Sequence, residues 1–232
     1  MKTVLKTVSR SGFEVAGRAF LWLVILTTFG LFGVFLFYLL PQVMQFAGVI
    51  IVALVLGWLA ADFITGLIHW FGDTWGKPSW PILGKYFIED FRIHHIEPQK
   101  ICEHDFVYMC ASSFFFAPYV IVGGIYILLQ GDVVGVFVGT IIVSMAMWGA
   151  LTNLFHKWAH DNPVNVPRLA KWLQRTRIIL SPDHHQVHHT YPHLSYYAIT
   201  NGWVNYVLEK IKFFRALEWI ICKLFRTTPR QS

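Results

Sequence analysis

The amino-acid sequence predicts an all-α integral membrane protein with four transmembrane helices, a cytoplasmic histidine-rich cap and interfacial amphipathic helices. Three observations lead there. Four apolar segments of 22 to 24 residues account for a chain that is 55% hydrophobic and only 14% charged, where a soluble domain carries roughly 25% charged residues. The two short loops joining these segments in pairs, PQVMQ and QGD, contain no Lys or Arg. All eleven histidines lie outside the apolar segments, in polar boxes at their ends.

Taken in order, residues 1–18 (MKTVLKTVSRSGFEVAGR) form a basic, mildly amphipathic tail, expected to lie on the membrane surface or to be disordered. A single membrane domain is expected over 19–226, with spans at about 19–40, 46–68, 106–129 and 133–155, and a short tail at 227–232. Each span exceeds the roughly 20 helical residues that cross a bilayer core of about 30 Å. None shows the polar stripe of a helix in a soluble bundle. The second span runs without a break into HWFGDTWG, where Gly72, Gly76 and Pro78 end it. Residues 77–105 read as a loop rich in aromatic and charged residues that carries the His94–His95 pair. DFVYM opens the third span, and its interior Pro118 is a candidate kink. The fourth span runs directly into HKWAH. Residues 163–180 predict a short amphipathic helix with Lys171, Arg175 and Arg177 on its polar side. Residues 203–226 alternate basic and aromatic-apolar positions at helical spacing. That pattern fits a helix lying in the interface plane and equally one packed on the protein.

Orientation follows from charge. The 19 Lys and Arg residues fall in the N-terminal tail, in 69–105, or after the fourth span. Four spans bring these regions to one side, which the positive-inside rule makes cytoplasmic, at a bacterial inner membrane or the endoplasmic reticulum. Both termini and all the histidine boxes share that side. The net charge of +6 then answers anionic headgroups, and no nucleic-acid partner is expected. Cys102, Cys110 and Cys222 form neither a disulfide framework nor a zinc knuckle. The first apolar run is too long for a signal peptide, and no cleavage site follows it.

The histidine spacings point to metal. His156 and His160 are four apart and share a helix face with Cβ atoms roughly 5–6 Å apart, a separation suited to two ligands on one ion. Asn153 lies on that face too. His69 and Asp73 repeat the geometry with a carboxylate. His185, His188 and His189 occupy one side of a helical turn, and His94 and His95 add a pair. Eight or nine donors exceed the needs of one zinc ion. They fit two ions with four or five ligands each, mostly imidazole, a donor type that also suits iron, copper and nickel. A transporter would place its ligands inside the spans. A haem carrier would not cluster HxxHH.

Asp62 is the only charge inside a span. A carboxylate there is costly and a functional candidate. It lies roughly 10 Å deeper than His69 along the helix, too far to share its metal. It is expected to accept a hydrogen bond from the outer N–H of a metal-binding histidine or from Asn153. The alternative is a plain tie between two helices.

The runs HWFGDTWG, FRIHHIEPQKICEHDF, NLFHKWAH, HHQVHH and NGWVNYVLEKI stand in order between about residues 58 and 226. Together they resemble the plasmanylethanolamine desaturase family, also called the Kua or lipid-desaturase-domain family. The first 57 residues match only as an apolar hairpin. The resemblance implies a membrane enzyme with two Fe ions (a di-iron centre), O2 as co-substrate and electrons from an external donor. Such an enzyme converts the sn-1 O-alkyl chain of an ether phospholipid, plasmanylethanolamine, to the vinyl ether of a plasmalogen. It implies His69, Asp73, His94, His95, His156, His160, His185, His188 and His189 as ligands. His104, His184 and His193 remain outer or structural candidates. Asp183, Glu97 and Asp105 are close enough in sequence to accept an outer imidazole N–H. General membrane acyl desaturases carry a histidine where this chain has Phe91, and often one where it has Asp73; both departures follow this family's own pattern. The resemblance also implies an apolar tunnel whose inner end meets the metals. No flavin or haem motif is present, so a b5-type cytochrome or a ferredoxin is expected on the basic face. A phospholipid acyl-chain desaturase or a fatty-acid hydroxylase is the alternative within the class, and NGWVNYVLEKI favours the ether-lipid branch.

Overall fold

The computed structural model describes residues 12–84 and 88–230. Most of the basic tail therefore lies outside the described residues. Among the described residues the chain is helical throughout, with no strand. The α-helices are α1 (Gly12–Leu39), α2 (Val43–Thr74), α3 (Glu89–Ile96), α4 (Phe106–Leu128), α5 (Val133–His160), α6 (Arg168–Arg175), α7 (Pro182–His188), α8 (Trp203–Lys210) and α9 (Phe213–Phe225).

The four long helices fall on the four apolar segments; α4 matches its segment to within a residue, and α1, α2 and α5 extend beyond theirs. α1 begins at Gly12, inside the expected tail. α2 and α5 continue to Thr74 and His160, so the His69/Asp73 and His156/His160 pairs ride on the last turns of long rigid helices. Asp105 and Asp132 start α4 and α5 by accepting the backbone N–H groups of Tyr108 and Gly135, the usual answer to unpaired donors at a helix start. The stretches Gly17–Thr74 and Val133–His160 are long and apolar enough to cross a membrane.

α5 is the central pillar. α2 and α4 lie along it, and α1 packs on α4. Phe35, Phe114, Ile121, Val136 and Val143 fill the space between them and are fully buried. The α2–α5 crossing depends on Gly57: a Cβ there would stand 2.5 Å from Ser144 Cβ and 2.6 Å from the Ile141 carbonyl. Ser144 Oγ donates to the Leu54 carbonyl at 2.9 Å across the same crossing. Outward, Leu23, Phe37, Ile51, Phe116 and Tyr119 leave the long helices sheathed in exposed apolar side chains.

Three expectations change. Residues 77–105 are not simply a loop: α3 and a 3-10 helix at Pro98–Glu103 occupy most of their second half. Glu89 and Asp90 in the first turn of α3 place negative charge at the favourable end of the helix dipole, and His94 and His95 occupy its last turn. Residues 203–226 are two helices, because Lys212 adopts a left-handed conformation (φ 53°) between them. α9 lays Phe213, Phe214, Leu217 and Ile221 against the cluster of Trp70 and Tyr197, while Trp219, Leu224 and Phe225 stay exposed. In 163–180 the α-helix covers only Arg168–Arg175, and Arg177 (φ 57°) leaves it to donate to the Tyr206 hydroxyl at 2.7 Å. α4 runs unbroken through Pro118.

Candidate metal centre

The C-terminal ends of four helices converge. α2 brings His69 and Asp73, α3 brings His94 and His95, α5 brings His156 and His160, and α7 brings His185 and His188, with His189 at its C-cap. Local contacts set this convergence. Arg92 on α3 donates to the Gly72 and Gly76 carbonyls at 3.4 and 2.5 Å, fastening α3 to the end of α2. Gln99 donates to the His160 carbonyl at 2.9 Å and Lys157 donates to the His104 carbonyl, fastening the 3-10 segment to the end of α5. Ser181 caps α7 by accepting the His184 N–H.

The donors fall into two groups. His94, His156, His160, His185 and His189 each offer a ligand atom within 4.8 Å of the others; His69, Asp73, His95 and His188 do the same. In the first group the Nε2 atoms of His156 and His185 are 2.8 Å apart, and His189 Nε2 stands 3.0 Å from those of both His185 and His94. Each nitrogen of a neutral imidazole offers either one N–H or one lone pair, so the Nε2 atoms of His185 and His189, with two such neighbours each, cannot satisfy both. In the second group Asp73 Oδ1 lies 3.1 Å from His95 Nε2, and Oδ2 lies 3.4 Å and 3.5 Å from the Nε2 atoms of His69 and His188. The groups touch: the rings of His69 and His156 are 5.8 Å apart, and those of His185 and His188 are 5.7 Å apart.

Two backbone carbonyls stand behind the second group. His69 Nδ1–H donates to Tyr197 O at 3.0 Å, and His188 Nδ1–H donates to Ser195 O at 2.8 Å. These bonds set the tautomer that turns each Nε2 inward. His69 Nε2, His188 Nε2, Asp73 Oδ2 and His160 Nε2 are buried and make no hydrogen bond. Each such orphan costs about 1–3 kcal/mol, and a cation among them would remove the cost. The donor set therefore fits two metal ions, five donors on one side and four on the other.

Burial and then the neighbouring imidazoles hold His94, His185 and His188 well below the ordinary histidine range, and His189 is lowered to about 3. These rings are neutral at neutral pH, the form a metal requires.

The remaining candidates stand elsewhere. Asp62 meets neither a histidine nor Asn153: its carboxylate accepts four backbone N–H groups from residues 200–204. Asn153 donates to the Met109 carbonyl at 3.1 Å, tying α5 to α4. His104 stacks on Tyr108 with ring centres 4.2 Å apart. His184 turns away from the metal side, its Nε2 3.1 Å from Asn205 Nδ2 and its ring beside Tyr196 and Tyr206. His193 sits beside the second group, its ring 4.6 Å from His95 and its Nδ1 3.2 Å from the His188 carbonyl. The outer N–H groups of His69 and His188 go to carbonyls and not to Asp183, Glu97 or Asp105; Asp105 caps α4 and pairs with Arg18 at 2.7 Å. Sequence reasoning missed Ser195 and Tyr197, because a main-chain carbonyl leaves no mark on residue type. Phe91 packs its ring 5.2 Å from that of His69. An open apolar groove of about 400 Å³, lined by Gly48, Val49, Val52, Val133, Val134 and Phe137, lies roughly 30 Å along α2 from His69 by helical rise. It is not a tunnel that meets the metal side.

Two adjoining histidine-rich donor groups, each able to hold a metal ion, stand on an apolar frame that is helical throughout the described residues. The chain belongs to the lipid desaturase family, whose lipid desaturase domain matches residues 58–232. It is 41% identical to the plasmanylethanolamine desaturase of Myxococcus xanthus over 78% of this chain and 63% of that one. It is 38% identical to plasmanylethanolamine desaturase 1 of Mus musculus over 78% of this chain and 68% of the mouse one. It is 31% identical to the chloroplastic fatty acid desaturase 4 of Arabidopsis thaliana, over 75% of this chain and 52% of the plant protein. The chain thus spans a little under two thirds of the M. xanthus relative. No solved structure matches it.

Proposed function

We propose that this protein is a membrane-embedded, O2-dependent di-iron desaturase that converts the sn-1 O-alkyl chain of plasmanylethanolamine to a vinyl ether. The observation that carries this reading is the pair of adjoining donor groups, nine side chains in all, at one end of long apolar helices. The names of the bacterial and mouse relatives support the ether-lipid substrate, at 41% and 38% identity against 31% for the plant fatty acid desaturase. The same nine residues are the proposed ligands. α1, α2, α4 and α5 are the proposed spans, supported by their exposed apolar faces. The charge distribution supports an inward-facing active site at a bacterial inner membrane or the endoplasmic reticulum.

Iron held by these residues would supply the O2 chemistry that removes two hydrogens from the alkyl chain. The chain's own groups do the rest. His69 and His188 keep their Nδ1 protons on carbonyls and present Nε2 inward. Asp73 adds the one negative charge of the donor set. Both histidines are 0% exposed, so bulk water is kept from that side of the site. A methylene chain offers no polar handle, so the position of the lipid against the helix ends selects the carbon that reacts. Electrons come from a separate protein, a b5-type cytochrome or a ferredoxin, and the basic face of α6 (Arg168, Lys171, Arg175) is suited to an acidic donor.

Expression in a cell lacking plasmalogens, followed by lipid mass spectrometry before and after acid, tests the reading. New ethanolamine lipids two mass units lighter than their alkyl precursors and cleaved by acid are expected. Acid-stable unsaturation would move the reaction to an acyl chain, and a purified protein without iron would end the di-iron reading.

A further inference from the structure

Asp62 is fully buried in α2, and its carboxylate accepts four hydrogen bonds. Oδ1 takes the N–H groups of Thr200, Asn201 and Gly202 at 2.9, 2.9 and 3.0 Å, and Oδ2 takes that of Val204 at 3.2 Å. Successive N–H groups curled around one anion make a nest, and charge-assisted bonds are roughly twice as strong as neutral ones. Gly202 supplies the positive φ of 86° that closes the curl. The same segment is held at three more points. Thr200 Oγ1 lies 3.0 Å from the Thr65 hydroxyl and 2.6 Å from that of Thr152. Asn201 donates to the Trp58 carbonyl at 3.2 Å. Asn205 clamps both the N–H and the carbonyl of Ala198 at 2.9 Å.

This gripped segment also supplies the Ser195 and Tyr197 carbonyls that receive the Nδ1 protons of His188 and His69. α2 therefore meets it at Trp58, Asp62 and Thr65 and, two turns beyond Asp62, at His69. We propose that Asp62 is a positioning residue for the second donor group: its grip on residues 200–204 sets where the two carbonyls stand, and so where the Nε2 atoms of His69 and His188 point. The segment reaches the first donor group's helix α5 through the Thr152 hydroxyl, four residues before His156, and not through a ligand imidazole. The proposal rests on the metal-binding reading above and deepens it.

Asp62→Asn is the sharpest probe. An amide can keep three acceptor bonds through Oδ1, but its Nδ2 then faces the Val204 N–H, donor against donor. The full-length protein, purified in lipid nanodiscs and stripped of metal, is titrated with Co(II) and followed by its visible d–d bands. Asp73→Asn and His185→Ala assign the two binding steps to their donor groups. Wild type is expected to take up two equivalents. Asp62→Asn should weaken the second group's step about 10–100-fold, the usual effect of losing an outer partner of a ligand, with an altered Co(II) spectrum and the first group's step unchanged. Equal weakening of both steps would reduce Asp62 to a general structural tie, and unchanged binding would remove any role; either overturns the proposal. Should Asp62→Asn fail to fold, Thr200→Val loosens the same segment more mildly. A smaller weakening confined to the second group is then expected, and wild-type titration of that variant overturns the proposal. Fewer than two equivalents in wild type would instead sink the two-metal reading on which it rests.

Discussion

His94, His156, His160, His185 and His189 form a donor group of imidazoles alone, built from α3, α5 and α7. Its neighbour, His69, Asp73, His95 and His188, exchanges an imidazole for a carboxylate and leans on the 195–204 segment through two carbonyls. A divalent ion in the first group would keep its full charge; in the second Asp73 would cancel half of it. Carboxylate oxygen is also the harder donor. The two sites differ in ligand hardness and in rigidity, so similar residues placed side by side are not equivalent. The partition follows helix geometry. Residues four apart stay together (His156 with His160, His185 with His189, His69 with Asp73), whereas adjacent residues (His94 and His95, His188 and His189) separate, because neighbours on a helix point roughly 100° apart.

Deleting one imidazole from each side is expected to have the largest effect. His185→Ala should empty the first group and His188→Ala the second, each cutting product formation by more than about 100-fold, beyond the loss expected for an outer partner. Metal analysis should find one ion retained in each variant and membrane insertion unchanged. Two ions retained in His188→Ala would remove it from the donor set.

The carboxylate makes the sharper contrast. Asp73→Asn keeps the shape and one oxygen but loses the charge. It should weaken metal at the second group by at least about 10-fold and leave the first as it was. Equal loss at both would mean that the groups act as one site.

Acid acts on both groups, and more gently. Burial and neighbouring rings hold His94, His185 and His189 of the first group, and His188 of the second, below the ordinary 6.5. Between the folded and unfolded values the unfolded chain binds more protons, so stability falls as pH drops. For His189 that window runs from 6.5 down to about 3. Melting of the metal-free protein should shift to lower temperature from pH 7 to pH 4, and the fall should be shallower in His189→Asn. A flat profile in the parent would contradict the burial.

The smallest effects belong to histidines outside both groups. His193 rests on His95 and on the His188 carbonyl, so His193→Ala should lower activity by up to roughly 10-fold, acting on the second group alone. His104 stacks on Tyr108 apart from both groups. His104→Ala should stay within about twofold of the parent in turnover, as surface changes usually do.

Much of this was legible in advance. The helix-spaced pairs and the resemblance singled out nine side chains, and those nine make up the two groups. Their division between the groups was not legible, because it depends on how α3 and α7 are rotated against α2 and α5. Asp62 shows the same limit. Its cost in an apolar segment marked it as a residue with a role, yet its partners are main-chain N–H groups some 140 positions away, which no side-chain pattern announces. Lys212 broke an unbroken helical periodicity because packing Phe213 and Phe214 on Trp70 and Tyr197 outweighed continuity.

The sequence by itself determined the four long helices and the chemistry of the boxes, since apolar length, helical spacing and residue type are local properties. Tertiary structure alone decided which donors face one another and what stands behind each imidazole. Those depend on where separate helix ends meet, and on backbone carbonyls that every residue carries alike.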